Sequence, residues 1–260
     1  MEKVAFLNLT YNSFTQNSVW KKFLQSGSQD EFNLYIHPKH KTPSIFSDFY
    51  IENHIPTQWG HFSLVEATIE LMKSALEDEE NEYFTLISDS HFPLYNLQDT
   101  VDSIKKNYKK MTFMKHLSFH TKDKSRLVLR DGVKNNRFKE YNAVCQFFVC
   151  RRSDAQRFVD TFSEFSQYFH KDRVVLADEF YFWAVANDLG MDFDIGQGTC
   201  FSDWSVRLDG DGKQERNPRS FKVLNDNLVD HYRGQGYLFV RKITAETLNS
   251  SNPLKKCKIQ

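Results

Sequence analysis

Residues 174–183 read VVLADEFYFW and run directly into AVANDLGMDF at 184–193. An apolar entry, two adjacent carboxylates, an aromatic run and an exit through Gly190 describe an amphipathic helix that starts at the acidic pair. With Asp178 as its cap, Glu179 falls in the first turn, where unpaired backbone N–H groups favour negative charge. Phe180, Trp183, Ala184 and Asn187 then recur at three- to four-residue spacing on one side. A carboxylate fixed there, beside aromatic surface, has the surroundings of a general base. A helix cap with a favourable charge accounts for the same residues without any chemistry.

Outward from this stretch the chain alternates strand and helix patterns. Upstream, AVCQFFVC at 143–150 reads as a buried strand and 153–169 as an aromatic-rich helix. WGHFSLVEATIELMKSAL at 59–76 is a helix with Leu64, Ala67, Leu71, Ala75 and Leu76 on its apolar side. YFTLI at 83–87 suits an interior parallel strand, and it opens into SDSHFPLYN at 88–96. Ligands gather at the carboxyl ends of strands in open α/β sheets, which gives that opening weight. The N-terminal segment offers a strand at 3–9, a helix at 18–24 and a strand at 32–37. HPKHKTP follows at the rim, with His37 and His40 expected in solvent. Residues 97–108 form a further helix, and the charged, turn-rich piece at 123–138 reads as an exposed hairpin. Beyond Gly190, TCFSDWS gives a short strand and turn, DGDGKQERNPR a polar loop, 221–232 a helix and 237–243 a last strand. With no repeat and no separating linker, a single α/β domain over 1–250 with a polar tail at 251–260 is expected.

Composition narrows the partners. Lys plus Arg and Asp plus Glu both number 34, so no long-range field argues for nucleic acid or an anionic membrane. A small molecule or a neutral polymer such as a glycan fits better, and 24 Phe and 11 Tyr supply rings for core and for stacking. No run approaches the length of a membrane span, and the start lacks a secretory pattern, so a soluble protein is expected. The cysteines Cys145, Cys150, Cys200 and Cys257 follow no disulfide or zinc spacing and read as reduced thiols of a cytoplasmic protein.

Taken together, SDSHFPLYN, ADEFYFW, FSDWS, NPRSF and LFVRKI are similar in wording and order to the core-2/I-branching β-1,6-N-acetylglucosaminyltransferase and peptide O-xylosyltransferase family. The resemblance runs from Trp59 to Ile243. It includes the Trp-Gly-x-x-Ser-Leu-Val-x-Ala helix, Gln146 with Phe147 and Arg151, the Asp178–Glu179 pair and Asn217 to Phe221. It implies a GT-A-like fold with a mixed, mostly parallel sheet flanked by helices. It also implies an inverting transferase that moves N-acetylglucosamine or xylose from a UDP-sugar to a glycan hydroxyl, with no cofactor and no bound metal. Glu179 would be the catalytic base and Lys242 a donor-diphosphate contact, with Arg219 or Arg241 as a second. Asp89, Ser90, Asp178, Asp203 and Trp204 would serve sugar binding. The family's membrane anchor and luminal disulfides are not seen, which points to a soluble bacterial or viral member acting in the cytoplasm, or in a host's if viral; self-association is left open.

Each of these residues has a plain alternative. Arg241 and Lys242 alternate on a strand, so one site receives only one of them, and both would also serve as edge charges. Asp89 suits a turn, Trp59 a structural role, and Asp203 with Trp204 a turn beside a core ring. Two Asp-x-Asp triplets, Asp192-Phe193-Asp194 and Asp209-Gly210-Asp211, lack the strand-end context of a metal site. A non-catalytic carbohydrate-binding protein is the main alternative function. A glycoside hydrolase is less favoured, because adjacent carboxylates diverge rather than face each other across a bond.

Overall fold

Strand β1 (Lys3–Thr10), helix α1 (Asn17–Leu24) and strand β2 (Phe32–Pro38) open the chain as a parallel unit, with Val4 opposite Phe32 and Thr10 opposite Pro38. The computed structural model describes residues 2–115, 137–138, 142–169, 176–205 and 218–249. Helix α2 (Ser63–Leu76) returns the chain to β3 (Asn81–Ser88), which lies parallel to β1 on its other side. After the short β4 (Phe92–Pro93) and α3 (Leu97–Asn107) come β5 (Met111–Lys115) and β6 (Val144–Arg151). Helix α4 (Arg152–Ser166), helix α5 (Tyr181–Asp188) and strand β7 (Phe193–Gly196) complete the main layer.

The main sheet has six strands in the order β2-β1-β3-β6-β5-β7. Strand β6 is antiparallel to both neighbours, whereas β1–β2, β1–β3 and β5–β7 are parallel. Five strands therefore share one direction, and the expected mixed, mostly parallel α/β sheet is what forms. Its strands read as apolar runs because both faces are covered. On one face Phe6 meets Phe23 of α1; on the other Phe148 meets Phe182 of α5, which in turn meets Phe158 of α4. Among the described residues, no helix is long and apolar enough to cross a membrane.

A second, three-stranded sheet joins β4, β10 (Phe239–Arg241) and β8 (Cys200–Ser202). His91 ties it to the main sheet: its ring meets Phe147 and Phe239 edge-on, and its carbonyl accepts the Trp20 indole N–H at 3.0 Å. The last pieces are β9 (Val223–Leu224), helix α6 (Asp226–Gly234) and β11 (Leu248–Asn249), with β9 and β11 paired in parallel.

Several local expectations are corrected. Helix α2 starts at Ser63 rather than at Trp59: Gly60 takes φ +70°, and Trp59 is 75% exposed, so its ring is not part of the core. The piece at 221–232 is not one helix, because Val223 and Leu224 pair with β11 and Asn225 then caps α6 by accepting from the Leu228 N–H at 3.1 Å. The last strand is shorter than 237–243, spanning only Phe239–Arg241. His37 is buried rather than solvated; it stacks on His54 at 5.0 Å, accepts from the Ile55 N–H at 2.9 Å, and burial lowers its pKa to about 4. The predicted hairpin at 123–138 except its last two residues, the triplet at 209–211, most of the polar loop, Asn217 and the tail at 251–260 lie outside the described residues. Cys145, Cys150 and Cys200 are buried free thiols.

Candidate functional site

The acidic pair is built differently from a capped helix. Leu176 adopts a left-handed backbone, φ +58°, and residues Ala177–Glu179 form a single 3-10 turn. Helix α5 starts only at Tyr181, and its cap position, Phe180, offers no side-chain hydrogen bond. Residues 181–186 of α5 are all buried, so the helix is enclosed rather than amphipathic. The left-handed residue is held by Gly60, whose carbonyl accepts the Leu176 N–H at 2.7 Å. The carboxylates thus sit on a tight turn packed against β6.

Asp178 is buried, and its Oδ1 has no hydrogen-bond partner among the described residues. Burial, reinforced by the Glu179 charge and opposed by Arg241, raises its pKa to about 7. Glu179 is half-buried, and its charge also acts on the Cys145 thiol at the start of β6. Because β6 runs against its neighbours, its first residues lie at the carboxyl end of the parallel strands. The acidic turn is therefore at the ligand-binding end of the sheet.

Asp89 directly follows β3 at that same end. Its Oδ2 accepts the Tyr11 N–H at 3.0 Å, and its carbonyl accepts the Thr15 N–H at 3.0 Å, so it fixes the loop leaving β1. Burial raises its pKa, opposed by the Tyr11 hydrogen bond and then by the charges of Arg241 and Lys242. Ser90 is buried, with Oγ 3.1 Å from Ser88 Oγ, and its carbonyl accepts the Ile243 N–H at 2.9 Å. Its side chain is committed to the turn rather than to open space.

The cations are arrayed by backbone hydrogen bonds. The Arg219 N–H donates to the Asp203 carbonyl at 2.7 Å, and the Phe221 N–H donates to that of Lys242 at 2.9 Å, which lays the 218–222 segment between the extensions of β8 and β10. Arg219 and Lys242 consequently line one cleft of about 780 Å³, together with Phe221, Thr244 and Glu246. Arg241 turns the other way. Its guanidinium lies 4.6 Å above the Phe147 ring, its Nε is buried without a hydrogen-bond partner among the described residues, and its charge acts on Asp178, Asp89 and His91.

Asp203 accepts the Ser205 N–H at 2.9 Å on Oδ1, a turn-closing bond. Trp204 does not line the Arg219–Lys242 cleft; it borders a second pocket of about 300 Å³. Asp192, just before the edge strand β7, and Asp194 on it both pair with Lys110, at 3.2 and 3.1 Å. Gly60, Tyr11 and Leu176 also shape the site, and sequence reasoning passes over them. Only Gly60 leaves a trace, as the glycine of the Trp-Gly dipeptide, since a left-handed leucine and a backbone donor carry no composition signal.

Arg241 links the two groups in sequence and in charge: it directly precedes Lys242 of the cleft, and its charge acts on Asp178 of the acidic turn. A family model described as Core-2/I-Branching enzyme matches residues 4–231. That span begins well before Trp59 and stops short of Arg241 and Lys242. Glycosyltransferase BC10 of Oryza sativa subsp. japonica is 30% identical over 110 residues, 39% of this chain and 28% of the relative's length. Among solved structures, TarS of S. aureus aligns with TM-score 0.36 and 13% identity over 76% of this chain and 35% of its own. A197 from STIV aligns with TM-score 0.36 and 12% identity over 82% and 92%. The family match covers most of the sequence, and the chain belongs to the core-2/I-branching enzyme family, a family of glycosyltransferases.

Proposed function

We propose that this protein transfers N-acetylglucosamine, or else xylose, from a UDP-sugar to a glycan hydroxyl, with inversion at the anomeric carbon and with side-chain cations in place of a metal. The observation that carries this reading is the cleft in which Arg219 and Lys242 stand together, one residue along from Arg241. Cations so placed suit a diphosphate leaving group, Lys as a point charge and Arg as a planar fork.

In the proposed reaction Glu179 takes the proton from the acceptor hydroxyl as its oxygen attacks the anomeric carbon. The bond from that carbon to the diphosphate breaks on the opposite side, and the departing negative charge is met by Lys242 and Arg219. Arg241 acts elsewhere. Half-buried over Phe147, it supplies the positive field around Asp178 and Asp89. Asp178 and Glu179 share one turn, which disfavours a hydrolase with carboxylates facing each other across a glycosidic bond.

The test is calorimetric binding of UDP-N-acetylglucosamine, UDP-xylose and UDP-glucose, with and without EDTA, to wild type and Lys242→Ala. Binding that survives EDTA and weakens in the variant is expected. A folded protein that binds none of the three, or binds only with a divalent ion present, would overturn the donor assignment or the metal-free mechanism respectively.

A further inference from the structure

Two histidines at the rim each bond to the backbone beside the other. The Ile55 N–H donates to His37 Nε2 at 2.9 Å, His54 Nε2 lies 2.7 Å from the Pro38 carbonyl, and the two rings stack at 5.0 Å and 11°. A carbonyl only accepts, so the His54 nitrogen carries a proton; a backbone N–H only donates, so the His37 nitrogen carries none. The clasp joins residues 37–38 to 54–55 and closes the loop between them. It has no part in the proposed transfer step.

That loop leans on the exit of β1. The Lys39 N–H donates to the Thr10 carbonyl at 2.7 Å, and the His40 N–H to that of Tyr11 at 3.2 Å. The Tyr50 hydroxyl donates to the Asn12 carbonyl at 3.0 Å, and the Tyr11 ring meets His40 edge-on with Lys39 Nζ 5.0 Å from its centre. Tyr11 is the residue whose N–H Asp89 receives just after β3. The clasp thus stands at one end of a line of contacts that reaches the ligand-binding end of the sheet.

We infer that the His37–His54 clasp is a pH-operated latch: with His37 neutral it seats the loop on the β1 exit, and with His37 protonated it lets the loop go. The chemistry lies in one atom. A proton on His37 Nε2 sets two N–H donors head to head and stacks a cation on the second imidazole. The surroundings oppose that charge. His37 is 1% exposed, its Nδ1 has no hydrogen-bond partner among the described residues, Leu9 stands opposite it on β1, and His54 and Lys41 act against a positive ring. Glu70 of α2 favours the charge but is already paired with Lys73 at 2.6 Å and bonded by Asn53 at 3.1 Å. Burial first, then His54, holds the ring neutral down to about pH 4 while the latch is shut, against an ordinary value of 6.5 once it opens. The closed form is therefore fully favoured above about pH 6.5 and loses up to tenfold per pH unit as pH falls toward 4. Control of donor binding by the latch rests on the transferase reading; the latch itself does not.

The experiment is amide hydrogen exchange by NMR on the full chain from neutral pH to about pH 4.5, corrected for intrinsic exchange, with wild type, His37→Gln and His37→Leu. Leu7, buried in β1, is the reference amide. UDP-N-acetylglucosamine, whose diphosphate does not change charge in this range, is titrated into the same samples. In wild type the Ile55, Lys39 and His40 amides are expected to lose protection together, by up to tenfold per pH unit below about 6.5, while Leu7 holds. In His37→Gln, which takes no proton, their protection is flat with pH; in His37→Leu, Ile55 is unprotected throughout. Donor affinity falls in acid more steeply in wild type than in His37→Gln. Flat Ile55 protection in wild type, or the same pH dependence in His37→Gln, overturns the latch. Loss at Ile55 with Lys39 and His40 still protected overturns its hold on the loop, and equal donor profiles in the two proteins overturn its reach to the donor site. Wild type and His37→Gln keep the test decisive if His37→Leu does not fold. Amides that follow the expected pattern in a protein that binds no donor at any pH retain the latch and sink the transferase reading instead.

Discussion

The Leu176 N–H donates to the Gly60 carbonyl at 2.7 Å, joining two left-handed residues, φ +58° and +70°, from distant parts of the chain. Through this bond the loop before α2 sets the entry to the Ala177–Glu179 turn. Gly60→Ala places a Cβ in ordinary contact with Leu176, 3.6 Å from Cδ2, so its cost is the backbone conformation, about 1–2 kcal/mol. Thermal unfolding should show that loss. Transfer activity should fall further than stability accounts for, because the Glu179 turn shifts; full activity at a lowered melting temperature would show the tether to be structural only.

Glu179→Gln removes the proposed base while keeping the size of the side chain. Turnover should drop by about two to four orders of magnitude, with UDP-sugar binding unchanged. Steady-state transfer assays beside calorimetry read both quantities, and a variant retaining more than about a tenth of wild-type turnover would remove Glu179 from that role.

Lys242→Ala and Arg219→Ala probe the diphosphate cleft. Each should weaken UDP binding by roughly tenfold or more, as expected for the loss of a charge-assisted contact, and each loss should shrink at high salt. Uridine, which lacks the phosphates, should bind wild type and variants alike. A variant that weakens uridine equally would place the residue away from the phosphates.

Asp178 predicts a stability profile. Its folded pKa, raised to about 7 by burial and then by Glu179, lies above its unfolded value of 3.8, so the native state holds the proton more tightly. Its contribution is fully present below about pH 4 and is lost as pH rises to about 7. His37, lowered to about 4, works in the opposite sense, because its neutral burial is penalised as pH falls below about 6.5. Subtracting Asp178→Asn from wild type cancels the His37 effect. The difference in unfolding free energy should fall across that window by on the order of a few kcal/mol. A flat difference would show that Asp178 is ionised in the folded protein.

Much of the layout is legible from residue pattern alone. The strands at β1, β2, β3 and β6 and the helices at α1, α3 and α4 follow directly from apolar runs and periodicity, since those signals are local. The ordered motifs carry the family, because each reflects a short segment with its own backbone requirement. What the pattern does not decide is long-range. An aromatic run after Asp178 reads as an amphipathic helix until its neighbours are known. Only the packing of Tyr181, Phe182 and Trp183 against Phe62, Phe158 and Phe193 shows that every side of it is enclosed. His37 looks solvated among prolines and lysines, yet His54, from the far side of a loop, stacks over it. The alternation of Arg241 and Lys242 is readable, but which way each points depends on Phe147 and Phe221, residues from two other segments. Local sequence sets what each segment prefers; only the assembled sheet decides which carboxylates and cations meet, because their approach is set by strand order and by contacts between residues far apart in the chain.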